Sequence, residues 1–389
     1  MKYKIKINYI CLLLLNIFAN QRIYNLFNGK MNNVIKNKIK NIQQYSIYEF
    51  LKTSIKNGTI LIFEPRNCHN ECTPGYSKYF IELGYNVDIL MRKSGVDSLS
   101  YFDDINNIRI FIYDNLKQIM NNSENLTSII KNYNYVLVES TNKWQKHLYN
   151  KLDLLSTNNS IFVFHEIGYA GTDFAKYFSQ NRIWTLGNIS NGLEVNPHYF
   201  GNININEKNN ITRFFLTSTI KRNYKPLIES VDKLIKDNYN FEIVVTGRSY
   251  TFNQEKIPKK INNKFIFKHG VEYSELYRLV NSSDYIIILL DPNNKYDNLF
   301  KISRITGSYQ LSFGFLKPCL INEAFAHFYN FNNENSLIYK KLDLYSAMKR
   351  AILLNKYEYK KMQHILEIQK NEIHKLSINN IKKFIVNNN

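Results

Sequence analysis

Short apolar runs alternate with amphipathic stretches through the first half of the chain. Runs of this kind, bounded by Gly, Pro or Asn, are typical of strands buried on both faces of a parallel sheet. The first run covers residues 58–65, and between Pro74 and Gly84 the apolar positions recur at helical spacing along one face. Four more strands are predicted at 85–90, 108–113, 135–139 and 160–165. This alternation predicts a doubly wound parallel sheet.

The same alternation begins again near residue 211. Strands are predicted at 213–217 and 241–247, and a helix with an apolar face starts between them near Pro226. The remaining elements are strands at 265–268 and 284–290 and helices at 274–281, 343–354 and 357–387. A second α/β unit is therefore predicted after the first.

Residues 182–210 are rich in Gly, Pro and Asn and are predicted to link the two units. A chain of 389 residues is long enough for two hydrophobic cores. The predicted fold class is α/β, with two Rossmann-like domains, each a doubly wound parallel sheet, facing a cleft. The predicted segments are a basic and apolar N-terminal segment at 1–50, domains at 51–200 and 201–355, and a basic C-terminal helix at 356–389.

The net charge of +19 is concentrated at the two ends of the chain. Residues 1–50 hold eight Lys and Arg against one Glu, and residues 340–389 hold eleven against four acids, so each end carries +7. Two basic ends on a near-neutral body fit docking on anionic lipid headgroups. They fit non-specific nucleic-acid binding nearly as well, and a third interpretation is that they are solvated ends of a Lys-rich chain.

An apolar run from Ile7 to Ala19 follows three lysines near the N-terminus. It is shorter than a membrane-spanning helix requires. Its outline is that of a signal peptide, but basic and aromatic residues continue after it, which favours a segment lying on the membrane surface. The four cysteines of the chain are too few and too unevenly placed for a disulfide framework, which favours a reducing compartment.

The clearest chemical pattern lies in residues 304–321. A strand at 284–290 ends in an acid and a Pro, and a loop then leads to Thr306-Gly307-Ser308, a short helix and a second apolar strand. Small residues at a helix start leave bare backbone N–H groups at the positive end of the helix dipole, which suits a phosphate. The alternative interpretation is an ordinary helix cap.

The order of these segments along residues 58–355 resembles the nucleotide-sugar glycosyltransferases with the two-domain GT-B fold. In the first half, residues 63–75 resemble the first strand, loop and helix of the acceptor domain, and residues 164–167 resemble a strand end whose His points into the cleft. The second half resembles the donor domain of family 4 of these enzymes through segments 217–225, 244–248, 268–277, 284–291 and 304–321. The resemblance implies that residues 51–200 bind the acceptor and that residues 201–355 bind the nucleotide sugar.

A set of donor-binding residues is implied by the resemblance. Lys221 and Arg222 follow the first strand of the second domain, where in the family a basic residue contacts the diphosphate and stabilises its developing charge. The alternative is a solvated loop of a Lys-rich chain. Glu323 is placed to accept hydrogen bonds from ribose hydroxyls, and the alternative is an acid favoured by the helix dipole. The other predicted donor-binding residues are Gly247, Arg248, Thr306, Gly307, Ser308 and Gln310.

Three residues on the acceptor side are candidates for catalysis. His69 and Glu71 lie in a loop predicted to face the cleft, where an inverting mechanism needs a carboxylate or imidazole to deprotonate the acceptor hydroxyl. His165 ends a buried strand, and it either orients a sugar hydroxyl, acts as the base or is a core histidine. Cys68 and Cys72 belong to the same loop, but the chain offers no obvious second Cys/His pair, so no zinc site is predicted.

One departure from the family pattern bears on the mechanism. Retaining members carry a spaced pair of glutamates before the last apolar strand of this region, whereas residues 303–310 contain no acid here. A retaining and an inverting reaction therefore both stay open. A catalytically inactive GT-B module that binds a glycan or a partner is the alternative function.

The resulting expectation is a glycosyltransferase that moves a sugar from a nucleotide-sugar donor to a glycan or lipid-linked acceptor in surface polysaccharide or lipopolysaccharide assembly. No cofactor or metal is expected, because basic side chains and helix dipoles can carry the charge of the diphosphate. The expected location is cytoplasmic and peripheral on the inner membrane face, with an anionic membrane surface as a partner. No nucleic-acid motif is recognisable, so specific nucleic-acid binding is not expected.

Overall fold

Two parallel sheets form the framework of the protein in the computed structural model. The structure describes residues 42–169, 174–178, 180–188, 192–219 and 222–388. Both sheets are flanked by helices, so the predicted fold class of two doubly wound α/β units is confirmed. The predicted N-terminal membrane-surface segment lies, for residues 1–41, outside the described residues.

The first sheet has the strand order β1-β4-β3-β2-β5-β6-β7-β8, with every pairing parallel. Its strands are β1 (Gln44–Ser46), β2 (Thr59–Glu64), β3 (Asn86–Arg92), β4 (Ile108–Tyr113), β5 (Tyr135–Val138), β6 (Ser160–Phe164), β7 (Ile183–Thr185) and β8 (Leu193–Glu194). Its helices are α1 (Ile47–Phe50), α2 (Thr73–Glu82), α3 (Leu116–Asn121), α4 (Ser123–Ile130), α5 (Lys146–Lys151) and α6 (Ala175–Phe178). The central strands β2, β5 and β6 are buried at every position, which explains their continuous apolar sequences.

The second sheet has the order β11-β10-β9-β12-β13-β14 and is also parallel throughout. Its strands are β9 (Thr212–Ser218), β10 (Phe241–Gly247), β11 (Phe265–His269), β12 (Tyr285–Ile288), β13 (Cys319–Asn322) and β14 (Ser336–Tyr339). Its helices are α7 (Lys225–Lys236), α8 (Tyr273–Asn281), α9 (Lys295–Asn298), α10 (Gly307–Gly314), α11 (Glu323–Ala326) and α12 (Leu344–Leu353). The apolar side chains of β9, β10 and β12 alternate between two clusters, one on each face of the sheet.

A last helix, α13 (Lys356–Asn388), packs on both halves of the molecule. Near its start, the hydroxyl of Tyr359 donates to the carbonyl of Asp284 in the second half. Near its end, the ring of Phe384 contacts the rings of Trp184 and Tyr135 in the first half. The helix therefore ties the two sheets together. Among the helices in the described ranges, none combines the length and the apolar character that crossing a membrane requires.

Two parts of the first sheet lie where no strand was predicted. β1 lies inside the predicted N-terminal segment 1–50. β7 and β8 lie inside residues 182–210, which were predicted as a linker. These strands are two or three residues long and pair in parallel with β4, β6 and each other. Strands this short are stabilised by tertiary pairing, so their local sequences carry little periodic signal.

Candidate active site

A cavity of about 620 Å³ opens between the carboxyl ends of the strands of the two sheets. Ligands of open parallel sheets bind at this edge, because strand ends and helix starts present loops and backbone N–H groups there. The first half contributes Cys68 and Glu71 to the wall. The second half contributes most of the remaining lining, including Thr217–Thr219, Arg222, Thr246–Arg248, Gly270, Val271, Tyr273 and Thr306–Ser308.

The structure brings most of the predicted site residues to this cavity. Those that line it are Glu71, Arg222, Gly247, Arg248, Thr306, Gly307 and Ser308. Lys221 lies outside the described residues. Gln310 is buried within α10, and Glu323 is exposed in the first turn of α11. Neither of these residues belongs to the cavity lining, and neither do His69 and His165, although His69 lies beside the lining residue Glu71.

The start of α10 forms part of the cavity wall. Thr306 has an extended backbone and precedes Gly307, and its side chain makes no capping hydrogen bond to the helix. The N–H groups of a first helical turn have no partner within the helix, and the helix dipole makes them attractive to an anion. A Cβ built on Gly307 has no atom within 4 Å, so the backbone faces open space. These features can bind an anionic group.

Arg222 is held in an ion pair at the wall of the cavity. Its Nη1 donates to Oδ1 of Asp297, and Oδ2 of Asp297 accepts from the backbone N–H of Asp291 at 2.9 Å. The guanidinium lies 4.7 Å from the centre of the Phe300 ring. The side chains of Arg222 and Asp297 are 12% and 2% exposed, so the guanidinium is fixed in position and its charge is compensated. The sequence pattern did not reveal this partner, because Asp297 lies 75 positions along the chain.

Gly247 is explained by close packing of two strand ends. Its φ is +113°, and a Cβ at this position would lie 2.3 Å from the carbonyl oxygen of Ser218. Only glycine fits this conformation and this spacing. The next residue, Arg248, donates from Nη1 to the hydroxyl of Tyr250 at 2.7 Å and lies at the exposed rim of the cavity.

The three predicted catalytic residues lie together on the first half. Nδ1 of His69 lies 3.1 Å from Oε1 of Glu71. The imidazole rings of His69 and His165 are stacked, with centres 3.7 Å apart and planes 15° apart. His69 comes from the loop after β2 and His165 from the end of β6, so the parallel sheet brings them together at its carboxyl edge.

The electrostatic environment shifts the pKa values of the two histidines in opposite directions. Burial lowers the pKa of His69, but the hydrogen bond and the negative charge of Glu71 raise it by more, so the net change is upward from about 6.5. Burial holds the pKa of His165 well below its ordinary value, and the nearby His69 and Arg66 lower it further. Burial raises the pKa of Glu71, while its hydrogen bond to His69 and the charge of His69 lower it by more. Glu71 is therefore an ionised acceptor, and Nδ1 of His69 carries the hydrogen.

Two buried glutamates that sequence reasoning missed support this loop. Glu64 is the last residue of β2, and its Oε1 accepts from the N–H groups of Arg66 and Asn67 at 2.7 and 2.8 Å. Glu139 follows the neighbouring strand β5, and its Oε2 accepts from the hydroxyl of Thr73 at 2.6 Å. Burial raises the pKa of both carboxyls, and for Glu139 the charge of Glu64 adds to the effect. In the sequence, the signal that could have identified Glu64 and Glu139 is an acid at the end of each of two apolar strands.

Three contacts join the two halves beside the cavity. The hydroxyl of Tyr273, on α8, donates to Oε2 of Glu71 at 3.0 Å. The side chains of Arg304 and Glu166 form a salt bridge with an N–O distance of 2.5 Å. The N–H of Ile167 also donates to the carbonyl of Ser303 at 3.0 Å. The two halves are therefore in direct contact beside the cavity.

Within the described ranges, no group of three or more His, Cys, Asp and Glu side chains has an arrangement that could hold a metal ion. Cys68 and Cys72 are free thiols, the first exposed and the second buried.

Comparisons with known proteins identify the fold. Neither a protein-family model nor a curated protein matches the chain. A glycosyltransferase from Rickettsia africae has a similar structure, with 16% identity, a TM-score of 0.55 and coverage of 85% of this chain and 98% of that chain. HepE from Anabaena in complex with UDP-glucose is similar over 84% of this chain and 98% of that chain, with 10% identity and a TM-score of 0.52. The same protein with UDP and glucose gives a TM-score of 0.53. These similarities show that the chain has the GT-B fold.

Proposed function

We propose that this protein is a glycosyltransferase that uses a nucleotide-sugar donor. The observation that carries the proposal is a cavity lined both by the anion-binding start of α10 and by Glu71, whose Oε1 lies 3.1 Å from Nδ1 of His69. A donor diphosphate at one wall and an acceptor hydroxyl at the other meet there, as glycosyl transfer requires. The structural similarity to HepE, which was solved with UDP-glucose, supports a nucleotide sugar as the ligand.

The donor is proposed to bind to the second half. The backbone at Gly307 and Ser308 and the side chain of Thr306 would hold the diphosphate. Arg222, fixed by Asp297, would donate to the diphosphate from guanidinium N–H groups that Asp297 does not use, and Lys221 is proposed to supply a positive charge. These groups act where negative charge develops as the diphosphate leaves, so they stabilise the transition state more than the ground state. The scheme requires no metal.

The acceptor is proposed to be activated by His69. With Nδ1–H donated to Glu71, the Nε2 lone pair of neutral His69 is free to take the proton of the acceptor hydroxyl. The acceptor oxygen then attacks the anomeric carbon, the bond from that carbon to the phosphate oxygen breaks, and the nucleoside diphosphate leaves. Glu71 stabilises the imidazolium that forms, and the stacked neutral His165 orients the ring. Attack opposite the leaving group inverts the sugar configuration.

The acceptor and the location are the finer parts of the proposal. We propose a glycan or lipid-linked acceptor, assembly of surface polysaccharide or lipopolysaccharide as the pathway, and family 4 as the related group. Exposed lysines along α13, including Lys360, Lys361, Lys375, Lys382 and Lys383, support attachment to an anionic membrane on its cytoplasmic face. Flotation with phosphatidylserine vesicles tests this, since binding should fall with salt and in a Lys382→Gln/Lys383→Gln variant. Failure to bind at low salt would remove membrane attachment from the proposal.

The donor site is tested by thermal unfolding with UDP, GDP, CMP and ADP in turn. A nucleotide at 100 times its dissociation constant adds about 2.7 kcal/mol of stability, which raises the midpoint visibly. One responding nucleotide identifies the donor class, and a radiolabelled transfer assay with that donor follows. A folded sample that responds to none of them contradicts the donor site. Binding without transfer to any acceptor would instead favour the inactive binding module.

A further inference from the structure

The helix α8 of the second half contacts the candidate base of the first half at two points. The hydroxyl of Tyr273 donates to Oε2 of Glu71 at 3.0 Å, while Oε1 of the same carboxylate lies 3.1 Å from Nδ1 of His69. The backbone N–H of Ser274, the next residue, donates to Oδ2 of Asp97 at 2.7 Å. Both contacts come from the first two residues of one helix.

Asp97 supplies the helix cap that the local sequence lacks. Glu272 occupies the N-cap position of α8, and its side chain makes no capping hydrogen bond. A carboxylate that accepts from an N–H of the first turn satisfies an orphan donor and interacts favourably with the helix dipole. Because Asp97 belongs to the first half, the start of α8 is complete only when the two halves are in contact.

We propose that Tyr273 is a positioning residue that holds Glu71 against His69, so that the acceptor-activating base is assembled only when α8 docks on the first half. The inference rests on the proposed function of His69 and Glu71. A carboxylate with one oxygen bound to Tyr273 presents its other oxygen to His69 in a fixed orientation. Without Tyr273, the Glu71 side chain is free to turn into the cavity that it lines. Closure around the donor and activation of the acceptor thereby become one event.

The charges around His69 define what a titration would report. Glu71 lies on its own loop, Glu64 and Arg66 lie at the end of β2, and His165 lies at the end of β6. From α8, the hydroxyl of Tyr273 bonds to Glu71, and the buried hydroxyl of Tyr277 feels the charge of Glu71 without a hydrogen bond to it. Burial raises the pKa of Tyr273 far above the neutral range, so its hydroxyl stays protonated and remains a donor at every pH of interest.

The experiment is an NMR titration of the histidine side chains in the wild type and in Tyr273→Phe, with the His69 signal assigned by its loss in His69→Gln. Tyr277→Phe is the matched control, because Tyr277 lies one turn along α8 and its buried hydroxyl has no partner among the described residues. Asp97→Ala is the second variant, since it disturbs docking of α8 without touching Glu71.

We expect the His69 pKa to fall toward its ordinary value in Tyr273→Phe and Asp97→Ala and to stay unchanged in Tyr277→Phe. In transfer assays, the acidic limb of the kcat/KM profile should move to lower pH by the same amount. An unchanged or raised His69 pKa in Tyr273→Phe overturns the positioning role. An unchanged value in Asp97→Ala overturns the dependence on docking. The titration needs no turnover. If the enzyme is inactive with every donor, the proposed function is contradicted, but the histidine titration still tests the positioning role of Tyr273.

Discussion

At the scale of single residues, the environment of each ionisable group decides its chemistry. His69 and His165 are stacked side chains of the same type, but Glu71 raises the pKa of the first and burial lowers the pKa of the second. In the proposed mechanism, the first imidazole is the base supported by a carboxylate, and burial keeps the second one neutral. Pairs of titratable groups with diverging pKa values are typical of sites with acid–base chemistry.

Replacing Glu71 with Gln should lower both the rate and the pH at which activity appears. His69 accepts a proton only when it is neutral, so wild-type activity should rise with pH through a pKa above 6.5. Without the charge of Glu71, the rise of activity with pH should occur at lower pH. The value of kcat should also fall by about 10²-fold, because the imidazolium of His69 loses its partner. The pH dependence of kcat/KM measures both effects.

A matched control for this experiment is Glu82→Gln, which removes a carboxylate bonded to His374 away from the cavity. Its pH profile should coincide with that of the wild type. If Glu71→Gln also leaves the acidic limb in place, the role of Glu71 in tuning His69 is wrong.

The buried carboxyls should make stability depend on pH in an unusual direction. The folded-state pKa of Glu139 is raised well above its ordinary value of 4.5, so the folded state binds this proton more tightly than the unfolded state does. The contribution of the Glu139 proton to the free energy of unfolding is complete below pH 4.5 and is lost as the pH rises toward the folded-state pKa. Relative to the wild type, Glu139→Gln should therefore gain stability as the pH rises. Urea unfolding at mildly acidic and mildly alkaline pH measures the difference, and parallel curves would contradict it.

At the scale of secondary-structure elements, the two ends of α10 differ in the space around their glycines. Gly307 has open space where a Cβ would lie, and this space is the cavity. Gly314, at the other end of the same helix, is enclosed, since a Cβ there would lie 2.3 Å from the ring of Phe200. One glycine of α10 therefore borders the cavity, and the other allows close packing against Phe200.

A methyl group at position 307 should weaken donor binding without weakening the fold. In Gly307→Ala the new Cβ meets no protein atom, and alanine favours the helix, so the unliganded protein should be as stable as the wild type or slightly more so. The methyl group would crowd the diphosphate, and overpacking of about 1–3 kcal/mol corresponds to roughly a 5- to 150-fold rise in the nucleotide Kd. Isothermal titration calorimetry measures the Kd.

Gly168→Ala is the matched control, because a Cβ there also meets open space but the residue does not line the cavity. Its nucleotide affinity should equal that of the wild type. Equal affinities for the Gly307 and Gly168 variants would mean that the phosphate does not approach the start of α10.

At the scale of the whole molecule, α13 connects the two halves after the second sheet is complete. Its buried residues pack first against the second half and then against the first, where the N–H of Asn196 donates to the hydroxyl of Ser377 at 3.0 Å. Nδ2 of Asn380 donates to the carbonyl of Glu194 at 2.8 Å. The relative placement of the two halves, and with it the cavity, depends on this helix.

Truncation of Phe384 should therefore destabilise the protein strongly. The ring is 2% exposed and contacts Trp184 and Tyr135, so Phe384→Ala should cost about 3–5 kcal/mol in urea unfolding. Val386→Ala, two residues further along and 76% exposed, should be almost neutral. If both variants unfold at the same urea concentration, α13 does not stabilise the first half.

The sequence by itself determined the two α/β units, the identity of the longer strands and the loops that reach the cavity. Continuous apolar runs such as β2 and β6 are readable because strands buried on both faces leave no polar alternation. The position of the small residues 306–308 and of Arg222 at the cavity could be predicted, because the carboxyl ends of parallel strands lie at one edge of the sheet.

Only the tertiary structure decided which of these residues act together. The partners of Arg222, Glu71 and Ser274 are Asp297, Tyr273 and Asp97, each more than seventy positions away along the chain. The short strands β1, β7 and β8 and the crossing of α13 over both halves also depend on contacts that no local pattern encodes. Periodicity reports the face that a segment buries, whereas pairing between distant side chains is fixed only when the chain has folded.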